Sequence, residues 1–164
     1  MKEPGKITAF NSPVEAGVRA ICLLVSAYPL AYDLQRLVAF DHLIVHTGDV
    51  KGPASLHPAV PLRTAELLVR RNLIERGLLL MMSRGLVNRV IDTSGILYRA
   101  SEYADTFLSS LTASYLEALR QRGEWVLNTF GELDDEGLRH MMTRFFGQWI
   151  EEFETLQRRM EIET

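Results

Sequence analysis

Apolar residues recur at three- and four-residue steps through Leu67, Leu68, Ile74, Leu78, Met81 and Met82, which predicts a long helix from Leu62 to about Arg84. Pro61 stands just ahead of it, where a missing N–H costs nothing. Arg84 and Gly85 pair a C-terminal cation with the residue that best tolerates left-handed backbone. The pattern then changes. Leu86 to Ile91 and Ile96 to Tyr98 are rich in β-branched and aromatic residues, and the four residues between them, Asp92-Thr93-Ser94-Gly95, are turn formers. Helix, glycine stop and hairpin, in that order, read as the second half of a winged helix-turn-helix.

The same patterning divides the rest of the chain. Residues 1–12 read as a loose arm with Ile7 and Phe10 as anchors. Asn11 or Ser12 caps a helix from Val14 to Tyr28 that has Pro13 at its first position and Glu15 in its first turn. That helix is apolar almost all round, with Val18, Ile21, Cys22 and Val25 on one face, Leu23 and Leu24 beside them, and Glu15, Arg19 and Ser26 as exceptions. It belongs at the centre of the fold, and Pro29 ends it. A second helix runs from about Tyr32 to His46 and stops at Gly48. Residues 47–61 hold two glycines and three prolines, too many for a regular element. A loop of that length is functional or draped over another surface.

After the hairpin, Ser101 and Glu102 open a helix that reaches about Phe130, with Thr112 to Ser114 as its weak point and Gly131 as its stop. Asp134 and Asp135 cap a last helix in which Leu138, Met142, Phe145, Trp149, Phe153, Leu156 and Met160 form a narrow apolar seam at steps of three and four. The preceding helix is the expected partner of this seam, as an antiparallel pair; a separate protein chain is the alternative. The expected fold is therefore mainly α with a small β-hairpin. A winged helix-turn-helix core with its N-terminal arm occupies residues 1–100, and a helical extension over 101–164 packs on it or on a partner.

Composition narrows the function. The chain of 164 residues is 47% hydrophobic and 24% charged, with a formal net charge of −3. Those values suit a water-soluble globular protein, and the charge means that any contact with nucleic acid needs a local basic patch. The single cysteine, Cys22, lies in an apolar run with nothing beside it to lower its pKa, so it reads as a buried small hydrophobe in a reducing compartment. The first residues carry no apolar signal core and no run is long enough to span a bilayer, so cytoplasm is the expected location.

Two groups of residues carry candidate chemistry. Asp41, His42, His46, Asp49 and His57 lie close in sequence, and His42 and His46 share one helix face at the spacing of metal-binding histidine pairs. The pattern lacks the glutamate of H-E-x-x-H. The competing account has His46 capping its helix as an imidazolium, while Asp49 and His57 hold the loop. No phosphate-binding glycine loop and no nucleophile elbow occurs, so no cofactor or catalytic residue is assigned. The second group is basic. Arg63, Arg70, Arg71, Arg76 and Arg84 on the long helix join Arg89 and Arg99 on the hairpin, against only Glu66, Glu75 and Asp92, and offer contacts to DNA phosphates or to a partner protein.

Four stretches carry a family resemblance: FNSPVEAGVRAICLLVSAYP, DLQRLVAFDHLIVHTGD, SLHP, and RTAELLVRRNLIERGLLLMMSRGLV followed by the hairpin. Over about residues 6–150 the chain resembles the middle component of bacterial ABC three-component conflict systems, defence operons of the Lamassu type. The resemblance implies a small, non-enzymatic winged-helix subunit between an SMC-like ABC ATPase and a separate effector, often a nuclease. Such a subunit would help couple sensing of foreign DNA to release of the effector. Asp41, His46, Asp49, His57 and the arginines of the long helix match the family's motif positions, with no catalytic role attached to them.

Three functions stay open on these grounds. An adaptor would hold partners through the 47–61 loop and the last helix, at Met142, Phe145, Trp149, Phe153 and Leu156. A winged-helix regulator would bind double-stranded DNA through the arginines. A metal-dependent hydrolase would act at Asp41, His46, Asp49 and His57.

Overall fold

A computed structural model describes residues 12–58 and 64–146, together with residues 155 and 158–162; residues 64–67 and 146 are described by their backbone alone. Ile7, Phe10, Pro61, Leu62, Arg63, Trp149, Phe153 and Leu156 lie outside the described residues.

The first helix, α1 (Pro13–Ala27), starts where the sequence pattern places it. Ser12 is the cap, its Oγ accepting from the Glu15 N–H at 3.2 Å, and Pro13 occupies the first turn. Every residue from Ala16 to Leu24 is buried. This helix is the hub: it packs on α2 (Leu34–Val45), α3 (Thr64–Ser83), α4 (Ala104–Ser110), α5 (Ser114–Phe130) and the second strand of the hairpin. Its Arg19 is buried as well, contrary to its expected place among the polar exceptions. The crossing with α3 is glycine on glycine. A Cβ built on Gly77 would lie 2.6 Å from the Gly17 nitrogen and 2.7 Å from the Pro13 carbonyl, and one on Gly17 would lie 2.7 Å from Met81 Cε. No side chain larger than hydrogen fits between the two backbones, which lets Ile74, Leu78 and Met81 reach the core.

Helix α2 is capped by Asp33, whose Oδ1 accepts from the Arg36 N–H at 2.8 Å, and it ends at Val45 with His46 as C-cap, within a residue of the expected end. A 3₁₀ turn, Thr47–Val50, follows. The rest of the proline- and glycine-rich loop, through residue 58, is irregular and lies on α5. Arg122 Nε and Nη2 both donate to the Ala54 carbonyl, at 3.1 and 3.0 Å. Gly52 sits against the Trp125 ring, so closely that a Cβ there would meet Cη2 at 2.4 Å. The Leu56 and His57 N–H groups both donate to the Val45 carbonyl at the end of α2. The loop is therefore draped over this chain's own surface.

Helix α3 ends as expected. Gly85 adopts φ +71°, and the Gly85 and Leu86 N–H groups donate to the Met82 and Met81 carbonyls. The hairpin comprises β1 (Val87–Asp92) and β2 (Gly95–Ala100), antiparallel and paired through Asp92 with Gly95. Its turn is thus two residues, Thr93-Ser94, and not the four expected. Asp92 Oδ1 accepts from both the N–H and the hydroxyl of Ser94, which closes the turn tightly. Tyr32, in the connection from α1 to α2, exchanges two backbone hydrogen bonds with Tyr98, at 2.9 and 2.8 Å.

The segment after the hairpin is two helices, α4 and α5, broken at 111–113, which overlaps the expected weak point at Thr112 to Ser114. The last described helix, α6 (Asp135–Phe146), starts where Asp134 Oδ1 accepts from the Gly137 N–H. Its main contact is α2, not the preceding helix: Leu138 and Met142 are buried, and Arg36 donates to Asp135 at 3.1 Å. A buried arginine on α2 thereby gives the acidic N-terminus of α6 a partner, while Trp149, Phe153 and Leu156 of the expected seam lie outside the described residues. One core takes residues from both sides of residue 100, from Ala16 and Phe40 to Leu119 and Met142. The architecture is mainly helical with a two-stranded hairpin. Among the described residues no helix is long and apolar enough to cross a membrane.

The glycine crossing yields a direct test. Gly77→Ala should cost about 1–3 kcal/mol, the usual range for overpacking, in urea unfolding. Gly131→Ala, on the exposed end of α5, is not the control to choose, since its Cβ would also meet a carbonyl, at 2.4 Å. Arg76→Ala, at an exposed position of α3, is the neutral reference, expected within about 0.5 kcal/mol.

Candidate functional site

The acid and histidines singled out in the sequence meet a cation it left aside. Asp41 is only 1% exposed, on the inner face of α2. Its Oδ1 accepts from Arg19 Nε of α1 at 2.7 Å, and its Oδ2 accepts from Arg70 Nη1 of α3. Burial alone would push the Asp41 carboxyl up, but the two guanidiniums reverse that and hold it below the usual carboxylate range. Arg19, equally buried, is kept charged by the same contact against the pull of desolvation. One carboxylate thus ties three helices together, with both oxygens occupied.

The histidines form a row beside this pair. His42 and His46 lie ring over ring, with centroids 4.4 Å apart and planes tilted by 32°. His57, brought in by the loop, stands edge-on to His46 at 6.3 Å. His57 Nε2 lies 2.8 Å from the Tyr115 hydroxyl of α5, with the two rings nearly parallel at 8°. Burial, helped by the charges of Arg70 and the His46 ring, pushes His42 down to about 2. Burial does the same for His57, to about 4, with Arg19 the next cause. His46 is lowered too, by burial and then by Arg70. It does occupy the C-cap of α2, but as a buried neutral ring and not as the imidazolium expected there. Among the described residues His46 Nδ1 has no hydrogen-bond partner.

This arrangement does not favour the metal site that the histidine spacing left open. Asp41 is saturated by arginines, and Asp49 points to solvent, contributing only its N–H to the His46 carbonyl. Among the described residues no group of three or more histidine, cysteine or acidic side chains is placed to hold a metal ion. Cys22 is buried in the core, which pushes its thiol up to about 12.

The basic group separates into two kinds. Arg70 is used by Asp41, and Arg71 donates to Glu75 at 2.8 Å on its own helix. Arg76, Arg84 and Arg89 are exposed and Arg99 is half-exposed; none forms an ion pair among the described residues. Arg63 lies outside the described residues. Beside the exposed arginines stand large apolar residues left in solvent: Val69 and Leu79 on α3, Ile91 and Ile96 at the hairpin tip. Val69, Asn72, Arg76, Leu79 and Ser83 follow one another at helical steps and make a single outer stripe. Of the apolar seam on the last helix, Met142 is wholly buried in this chain and Phe145 half-buried against its core.

The sequence pattern missed Arg19, Tyr115, Arg122 and Trp125. Arg19 did leave a signal: a charge in a helix apolar on all sides must be paired, and Asp41 stands in the next apolar helix. Tyr115, Arg122 and Trp125 left none, because loop-to-helix contacts across 58 to 73 residues of sequence have no local period.

A family model, ABC-three component (ABC-3C) system Middle Component 2, matches residues 9–152. The match covers most of the chain, which belongs to this family of middle components of ABC three-component systems. No curated protein and no solved structure gives a significant match.

Two outcomes test the site. Asp41→Asn should lose about 3–5 kcal/mol, because it strands two guanidiniums without their charge partner, and denaturant unfolding measures this. Acid supplies the second. His42 is neutral in the fold but titrates at 6.5 when unfolded, so its share of stability is whole above pH 6.5 and declines as pH falls toward about 2. The expected slope for that one residue is ~1.4 kcal/mol per pH unit, with His57 adding to it down to about pH 4. His42→Gln should flatten the profile between pH 6.5 and 5.

Proposed function

We propose that this chain is a non-enzymatic adaptor subunit in an anti-phage defence complex. It bridges an SMC-like ABC ATPase and a nuclease-type effector encoded nearby, and couples DNA sensing to effector activation in the cytoplasm. One observation carries this reading. Asp41, His42, His46 and His57 are spent inside, beside Arg19 and Arg70, while the outer face of α3 and the hairpin combine solvent-exposed aliphatics with arginines that have no ion pair among the described residues. A surface of that composition suits protein contact, where apolar anchors and arginines provide most of the binding energy. Membership among the middle components supports it, since a component is defined by the assembly it joins.

Co-purification with the products of the neighbouring genes tests the adaptor. Val69→Asp with Leu79→Asp should reduce recovery of at least one partner by about tenfold or more, the effect of losing ~1.4 kcal/mol of binding. Trp149→Asp with Phe153→Asp asks the same of the last helix. Full assembly by both double variants would contradict the adaptor reading.

A second reading has its own support. The order α1, α2, α3, β1, β2, with Tyr32 bonded to Tyr98 as a third strand contact, favours a winged helix-turn-helix core. In a DNA-binding regulator of that kind α3 lies in the major groove and the hairpin touches the backbone. Arg76, Arg84 and Arg89 are then phosphate ligands. Duplex affinity should fall steeply with salt, and Arg76→Ala with Arg89→Ala should lower the log–log salt slope by about 2. Salt-independent binding, or none, removes this reading.

A further inference from the structure

The hydrogen-bond phase of the hairpin leaves one of its edges open. Ser101 N–H donates to the Leu86 carbonyl at 2.9 Å, just beyond the base of the ladder. Alternation from there makes Asn88–Arg99, Val90–Leu97 and Asp92–Gly95 the bonded pairs, and Val87–Ala100, Arg89–Tyr98 and Ile91–Ile96 the non-bonded ones. Tyr98 agrees, since its N–H and carbonyl point away from β1, to Tyr32. The N–H and carbonyl groups of Val87, Arg89 and Ile91 therefore point away from β2, along the outer edge of β1. Among the described residues nothing pairs with that edge, whereas Tyr32 occupies the opposite edge of β2.

Edges of this kind are normally blunted by proline, lysine or a bulge. Here the pairing runs unbroken from Val87 to Asp92 without proline, lysine or bulge, and Arg89 is the one charge among the outward residues. Instead, the face that carries buried Val87 at the base continues outward through Arg89 to Ile91, which is 72% exposed beside its cross-strand neighbour Ile96. The apolar surface of the hairpin outruns its support, and Arg89 in the middle has no acidic partner among the described residues.

We propose that the outer edge of β1 is a strand-addition site for an extended segment of a partner protein, with an acidic side chain opposite Arg89 and an apolar one opposite Ile91. Backbone groups of Arg89 and Ile91, beyond buried Val87, supply the ladder, and the side chains supply register and selectivity. A second copy of this chain is a poor occupant. The outward residues of its own β1 edge are Val87, Arg89 and Ile91, so no antiparallel register between two copies sets an acidic side chain opposite Arg89. The inference rests on the adaptor reading, of which it names one contact.

Residue-resolved amide hydrogen exchange on the full chain, alone and co-purified with the products of the neighbouring genes, tests it. In the free chain the Arg89 and Ile91 amides exchange quickly while those of Val90 and Leu97, inside the ladder, are protected. In the complex the Arg89 and Ile91 amides slow by at least tenfold. Arg89→Glu weakens assembly by at least tenfold, and Ile91→Pro, which deletes an outward N–H and leaves the hairpin's own bonds alone, does the same. Protection of Arg89 and Ile91 already in the free chain overturns the proposal, because a segment of this chain then fills the edge. A complex that forms with both amides still exchanging quickly overturns it and leaves the adaptor standing. Slowing by duplex DNA in place of the partner proteins also overturns it, and failure of any partner to co-purify fells both readings together.

Discussion

The Asp41 carboxylate on α2 accepts from a guanidinium on α1 and from another on α3, and the packing of the three helices depends on that charge being matched. An ionised group with this little exposure survives only where its partners are fixed in place, because desolvation of either sign costs several kcal/mol. The glycine crossing of α1 and α3 is the complementary constraint. Without backbone contact at Gly17 and Gly77, the helices that carry Arg19 and Arg70 would stand too far apart to meet the same carboxylate. Charge and shape thus specify one arrangement between them.

Everything laid on this frame is arranged around neutral or neutralised groups. Burial first, and the neighbouring arginine charges after it, keep the rings of His42, His46 and His57 uncharged. The loop through residue 58 is fastened to α5 by Arg122, Trp125 and Tyr115, so the segment richest in glycine and proline closes over the histidine row. The Asp41, His42, His46 and His57 side chains are thereby turned inward. What faces solvent is the stripe of α3, the hairpin tip and four arginines without acidic partners among the described residues. A member of a multi-component family whose inside is closed and whose outside mixes aliphatic and basic residues has the make-up of a subunit that is held by others.

Period and punctuation made most of the frame readable. Ser12, Pro13 and Gly85 marked helix ends within a residue or two, and Gly85 does adopt the left-handed conformation its position called for. The centrality of α1 followed from an apolar surface on all sides. The site was half legible: Asp41, His42, His46 and His57 do come together, but Arg19 was read only as a polar exception with no partner assigned, and the spacing of two histidines left open a metal where the structure has two adjacent neutral rings. Spacing along one helix fixes a face, not what the neighbouring helix brings to it. The same limit explains the basic group, in which Arg70 and Arg71 turned out to be paired within the chain. It also explains α6, whose seam pointed to the preceding helix although Arg36 drew its N-terminus to α2.

The central claim is that the Arg19–Asp41–Arg70 cluster is scaffold and that function resides on the outer surface. Replacing the three charges together by apolar residues of similar size, as Arg19→Met, Asp41→Leu and Arg70→Met, separates the two roles, since buried ion pairs commonly tolerate such exchange without loss of stability. The measurement is anti-phage protection, the function proposed above, in the complete system carrying this triple variant, alongside the variant's unfolding midpoint. A folded variant that assembles and protects as the parent does is the predicted result. A variant that folds and assembles as well as the parent but leaves the system inactive would contradict the account.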